Sequence, residues 1–188
     1  MADKNLSPLE ETLVVLDKLC VANGLPYAVI GGIAGIVHGS ARTTIDVDVI
    51  VETELERIPQ VFQAFLTSFK PLKEDPLRFF QSYYVLPLVH RVLGTKLDVS
   101  AALSEFERNA ISRALRGRYG EAEVSLCTAE DLILFKLLAN RKRDLLDVQD
   151  IVLRSKERLD VAYLEETAKR FTEVERSDIL ETLRGLLS

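Results

Sequence analysis

Asp46-Val47-Asp48-Val49-Ile50-Val51 is the stretch on which the fold of this chain turns. Side chains alternate along a strand, so the two aspartates share one face while Val47, Val49 and Val51 take the other and can pack on a core. The two aspartate Cα atoms then stand about 6–7 Å apart. Like charges that close disfavour each other's ionised form. A divalent cation relieves the repulsion by taking an oxygen from each, and magnesium suits such hard donors, with phosphates completing its shell. Lys96-Leu97-Asp98-Val99-Ser100 repeats the pattern, with Leu97 and Val99 on one face and Asp98 on the other. If this strand pairs beside the first, three carboxylates line one patch, the minimum for metal-assisted phosphoryl or nucleotidyl transfer. Aspartate is disfavoured in strands, so three of them flanked by aliphatics argue for a site. Asp98 taken alone also fits an ordinary exposed strand position.

Working outward, Tyr27 to Ile30 reads as a short buried strand, followed by Gly31-Gly32 and a short helix from Ile33 to His38 that Gly39 ends. Without side chains at 31 and 32, backbone N–H groups at a helix start can approach a phosphate. A plain tight turn explains two glycines equally well. The loop Ser40 to Thr44 leads into the aspartate strand. Arg42 can clamp a phosphate in bidentate fashion, or pair with Glu52 or Glu54. Thr43 and Thr44 favour extended backbone.

The rest of the chain supplies the frame. Ser7, Pro8 and Glu10 make a capping box for a first helix with a Leu9, Leu13, Leu16, Cys20 stripe, stopped by Asn23-Gly24. Pro59 opens a helix whose apolar face is Val61, Phe62, Phe65, Leu66 and Phe69. Leu77 to Leu88 is aromatic and β-prone, interrupted by Pro87. Val89–Leu93 and Lys96–Ser100 read as a hairpin across Gly94-Thr95. Residues 104–114 read as helix and Val124–Cys127 as a strand. Thr128 with Asp131 caps a helix running to Asn140, and helices cover 142–154, 160–171 and 175–186. The expected fold class is α/β (α+β): a core over 1–127 and a helical subdomain over 128–188.

Composition narrows the function. A chain of 188 residues that is 47% hydrophobic can bury a sizeable core, and with no tryptophan its aliphatic residues must fill most of it. A net charge of −5 excludes a general nucleic-acid coat, so any nucleic-acid contact must come from a local patch. Cys20 and Cys127 form no CxxC pair and read as buried, reduced hydrophobes. His38 and His90 lack a matched ligand set for zinc. No apolar run reaches the roughly 18 residues of a membrane helix, so the expectation is a cytoplasmic protein with no membrane partner.

Gly31-Gly32, the short helix and Asp46-x-Asp48 together resemble the signature of the DNA polymerase β-like nucleotidyltransferase superfamily. A further likeness lies in His38-Gly39, Arg42-x-Thr44-x-Asp46-x-Asp48, and Glu130-Asp131-Leu132-Ile133 followed by Lys136, Ala139, Arg141, Arg143, Asp144 and Asp147. This resembles the AbiEii-type toxin nucleotidyltransferases, over roughly residues 25–153. The chain has Gly-Gly where many members have Gly-Ser, and it is shorter than many of these toxins. The resemblance implies a nucleotidyltransferase fold: a small mixed sheet flanked by helices, then a C-terminal helical part. It also implies that Asp46, Asp48 and Asp98 hold Mg2+ or Mn2+ and that Lys136 joins the catalytic set, with Asp144 or Asp147 beside it. Gly31, Gly32, Arg42, Thr44, Arg143 and Asp147 would bind the nucleoside triphosphate, ATP foremost. The acceptor would be a tRNA end or a protein hydroxyl, and an antitoxin the partner. Plainer readings stand beside these: Lys136 snorkelling to solvent, Arg141-Lys142-Arg143 as a solvated turn rather than an RNA or triphosphate patch, and Asp144 and Asp147 pairing with Arg141 or Arg143. A non-catalytic nucleotide- or partner-binding module, or a metal-dependent phosphohydrolase, would carry the same residues.

Overall fold

The computed structural model describes residues 6–174 and 176–187. The first helix, α1 (Pro8–Ala22), carries the complete Ser7–Glu10 capping box and buries Leu13, Leu16 and Cys20. Strand β1 (Tyr27–Ile30) runs into α2 (Gly31–Val37), and a loop leads to β2 (Asp46–Glu52). Helix α2 starts at the glycine pair itself, two residues earlier than expected. Helix α3 (Ile58–Phe65) opens at Pro59 as expected. It stops before Phe69, which begins a short strand, β3 (Phe69–Pro71).

Leu77 to Leu88 departs from expectation. It forms α4 (Pro76–Tyr83) and then β4 (Val85–His90). Local capping overrides the aromatic strand preference: the Asp75 carboxylate accepts from the Arg78 N–H, Pro76 occupies the first turn, and Tyr84 ends the helix in the left-handed region at φ 58°. Pro87 sits inside β4 rather than breaking it. Its carbonyl accepts from the Leu72 N–H (3.0 Å) just past the end of β3, so the donor it lacks falls where the ladder runs out. The hairpin partner therefore ends at His90, not Leu93, and Gly94 turns the chain into β5 (Lys96–Ala102) at φ 72°.

Helix α5 (Glu105–Ser112) has its own capping box from Ser104 and Glu107. A strand not anticipated, β6 (Leu115–Tyr119), pairs through Gly120 with β7 (Ala122–Leu126). Helices α6 (Ala129–Ala139), α7 (Lys142–Ser155), α8 (Val161–Arg170) and α9 (Asp178–Leu187) follow. Of the helix expected over 175–186, residue 175 lies outside the described residues.

The strands form one mixed sheet in the order β3-β4-β5-β2-β1-β7-β6. Its centre pairs β2 antiparallel to β1 and parallel to β5. Val47, Val49, Val51, Leu97 and Val99 face the core, which Phe65, Phe69 and Phe80 complete among aliphatic residues. Cys20 and Cys127 are buried and free. Among the described residues no helix is long and apolar enough to cross a membrane.

Candidate active site

Register decides which carboxylates meet. Asp48 lies directly opposite Asp98 on β5 and Ile30 on β1, while Asp46 lies opposite Lys96. Residues paired across a ladder share a face, so one row reads Ile30, Asp48, Asp98 and the next brings in Asp46 and Lys96. All three aspartates stand on the same face, on adjacent parallel strands, as the alternation predicts.

The glycine elbow is shaped around this row. Gly31 sits at φ 63°, and a Cβ there would run into the Asp48 carboxylate; a Cβ at Gly32 would lie 2.6 Å from Thr44 Oγ1. Both positions demand glycine because side chains from β2 and the preceding loop occupy the space. The Gly32 N–H donates to the Asp48 carboxylate, and the Thr44 hydroxyl donates to Asp46 Oδ1 (2.7 Å), fixing that side chain. Thr44 thus does more than favour extended backbone.

A second group of charges borders the same cavity. Lys136 Nζ lies 2.5 Å from Asp147 Oδ2 and 3.5 Å from Asp144 Oδ1. Arg42 Nη1 donates to Asp147 Oδ2 (3.0 Å) and the Ser40 hydroxyl to Asp147 Oδ1 (2.6 Å). Arg141 Nε meets Asp144 Oδ2 at 2.5 Å. Several plainer readings are corrected here. Lys136 does not snorkel: it is 4% exposed and held by two carboxylates. Arg42 pairs with Asp147 rather than with Glu52 or Glu54. Asp144 does take Arg141, but Asp147 takes neither Arg141 nor Arg143. Ser40 was not singled out from the sequence, because its partner lies 107 residues away and leaves no local trace. His38 lies within hydrogen-bonding distance of the Cys127 carbonyl (2.7 Å), tying α2 to the end of β7.

These groups enclose a cavity of about 160 Å³ lined by Gly31, Gly32, Arg42, the three aspartates, Lys136, Arg141, Arg143 and Asp144. An adjoining space of about 190 Å³ continues past Asp48 to the apolar side chains of Ile30, Leu132 and Phe135. A larger cavity of about 770 Å³ between α5, α6 and α8 lies beyond Phe135 and holds none of these carboxylates.

Electrostatics follow from the crowding. Burial, then the charges of Asp46 and Asp98, push Asp48 up to about 6, against the Gly32 N–H and Arg141. Burial and Asp46 also raise Asp98, with Lys96 and Lys73 pulling the other way. Burial works against the Asp147 carboxylate too, but hydrogen bonds from Lys136, Ser40 and Arg42 outweigh it and hold it below the usual carboxylate range. The three aspartates are thus an under-compensated cluster of hard oxygen donors, which fits a divalent cation. Among the described residues no group of three or more His, Cys, Asp or Glu side chains is arranged to hold a metal ion.

A mixed sheet with this glycine elbow and paired aspartates defines the class, a nucleotidyltransferase. The chain belongs to the family described as nucleotidyltransferase of unknown function (DUF6036), which matches residues 5–184. No curated protein matches the chain. Among solved structures, it resembles an antigenic nucleotidyltransferase-like protein from Paracoccidioides brasiliensis at 18% identity and TM-score 0.55, over 94% of this chain and 92% of that one. It resembles the antibiotic-resistance factor ANT(2'')-Ia at 13% identity and TM-score 0.56, over 91% and 96%. The lincosamide antibiotic adenylyltransferase LnuA, solved with lincomycin bound, matches at 15% identity and TM-score 0.50, over 79% and 98%. At these identities the likeness concerns the fold.

Proposed function

We propose that this nucleotidyltransferase moves a nucleoside monophosphate from a nucleoside triphosphate, ATP foremost, to a hydroxyl of a tRNA or protein acceptor. The observation that carries the reading is the row Asp48–Asp98 with Asp46 beside it, facing a glycine elbow and a ring of cations. Asp46, Asp48 and Asp98 would hold Mg2+ or Mn2+, which neutralises phosphate charge when bound. Thr44 holds Asp46 in place, and the missing side chains at Gly31 and Gly32 let Asp48 and Thr44 approach the elbow. Arg42, Lys136, Arg141 and Arg143 line the same cavity as the carboxylates, where they attract and orient the triphosphate. Asp144 and Asp147 keep Lys136 and Arg42 ordered before substrate arrives. Asp98 accepts the proton of the acceptor hydroxyl. The hydroxyl oxygen bonds to the α-phosphorus as the bond to pyrophosphate breaks.

The likeness of Arg42-x-Thr44-x-Asp46-x-Asp48 to AbiEii-type enzymes supports a toxin–antitoxin or phage-defence setting with an antitoxin partner. α-labelled triphosphates, magnesium and cell extract test the chemistry. Label should enter RNA or protein with the parent chain and fall at least 100-fold with Asp46→Ala or Asp48→Ala. Transfer that survives both changes removes the assigned site.

A further inference from the structure

The carboxylate face does not end at Asp98. Continuing along the sheet, Asp46 lies opposite Lys96, Lys96 opposite Val89, and Val89 opposite Lys70. Lys96 and Lys70 therefore share the face of the aspartates. The next row runs from Asp98 to Pro87 and, through the Leu72 N–H, to the start of the segment that carries Lys73. Lys73 Nζ sits 4.7 Å from the Phe79 ring centre, and Phe79 packs on Tyr83 at 4.6 Å. Tyr83 is 66% exposed. Lys73, Glu74, Asp75, Arg78, Phe79 and Tyr83 line an open groove of about 510 Å³ along α4.

We infer that this ledge, built from β3–β5 and α4, seats the acceptor, and that the acceptor is the unpaired 3′ end of a nucleic acid. The inference rests on reading Asp98 as the group that meets the acceptor hydroxyl, since the ledge begins beside Asp98, away from α6. Lys70, Lys73, Arg78 and Lys96 are exposed. Among the described residues none of the four is in an ion pair. Glu74 and Asp75 are the opposing charges, and the Asp75 carboxylate is engaged in capping α4. A chain with a net charge of −5 thus gathers unpaired cations along one approach to its carboxylates. A phosphate backbone would be drawn in, and the exposed Tyr83 ring gives an unstacked base a face to lie on. A duplex keeps its bases stacked and gains nothing from the ring, so single strands are preferred. Lys96 lies opposite Asp46 and Pro87 opposite Asp98, which places the ledge next to the reacting end.

The test is fluorescence anisotropy with the full chain and a labelled 12-nucleotide single-stranded RNA, in EDTA and without triphosphate, so that binding is read apart from chemistry. Three phosphate contacts give a slope of about −2 for log affinity against log salt. Lys73→Glu with Arg78→Glu and Lys96→Glu should weaken binding at least tenfold and flatten that slope, and Tyr83→Ala should weaken it about threefold or more, with circular dichroism unchanged. The matched duplex should bind more weakly than the single strand. Two outcomes overturn the ledge: RNA binding unaffected by these changes, or labelled transfer to a protein or small molecule at an unchanged rate in the triple variant. RNA that binds through the ledge while no label is ever transferred supports the ledge and instead defeats the proposed chemistry.

Discussion

Gly31 shows how much one residue decides. It combines a left-handed backbone with a space already taken by the Asp48 carboxylate. Gly31→Ala should therefore cost roughly 1–2 kcal/mol from backbone handedness alone, and should also push Asp48 off its row. Chemical unfolding and labelled transfer measured together should show both losses, whereas a merely permissive turn would show neither. Asp48 gives a pH signature. Its folded value of about 6 lies above the ordinary carboxylate value, so folding favours its protonated form. The stabilising contribution is present below about pH 4 and is lost as pH rises through 6. In EDTA, Asp48→Asn should melt above the parent at pH 8, by a few degrees, and the gap should close near pH 4. A variant that is less stable at pH 8 would show that Asp48 is already compensated. Strand alternation made these residues legible. It could not disclose that Thr44 orients Asp46, or that Gly32 donates to Asp48, because both depend on how a loop folds back.

At the scale of elements, Asp147 is the knot that ties the α2–β2 loop to α6 and α7. It receives Ser40, Arg42 and Lys136 together, all largely removed from water. Removing it leaves a buried lysine and a half-buried arginine without their carboxylate. Asp147→Ala should destabilise the chain by about 3–5 kcal/mol, read by urea unfolding, because breaking a buried pair costs more than the pair contributes. A loss below about 1 kcal/mol, the range of an exposed pair, would mean the knot is loose in solution. Capping signals located α1 and α6 well, since Ser7–Glu10 and Thr128–Asp131 act within one turn. They were also present at Asp75-Pro76, where the aromatic run Phe79-Phe80 carries a competing strand preference. Strand β6 was missed because Leu115-Arg116-Gly117-Arg118-Tyr119 is an edge strand that is mostly exposed, and so shows no clear alternation of apolar and polar residues.

At the scale of the whole molecule, sheet order turns separate strands into a site. The parallel pairing of β2 with β5 joins segments about fifty residues apart, and nothing local in Lys96–Ser100 announces it. The composition pointed away from nucleic acid as a general partner, yet the same sheet order lines up Lys70 and Lys96 beside the aspartates. Net charge averages over surfaces that the fold keeps apart.

The central claim is that three carboxylates from two strands act on one metal–nucleotide complex. Mn2+ electron paramagnetic resonance, titrated with a non-hydrolysable ATP analogue, tests it most directly. The parent chain should bind Mn2+ in a nucleotide-dependent way, and Asp46→Asn, Asp48→Asn and Asp98→Asn should each weaken that binding at least tenfold while the fold persists. Binding that is unchanged in all three variants, or independent of nucleotide, would contradict the account.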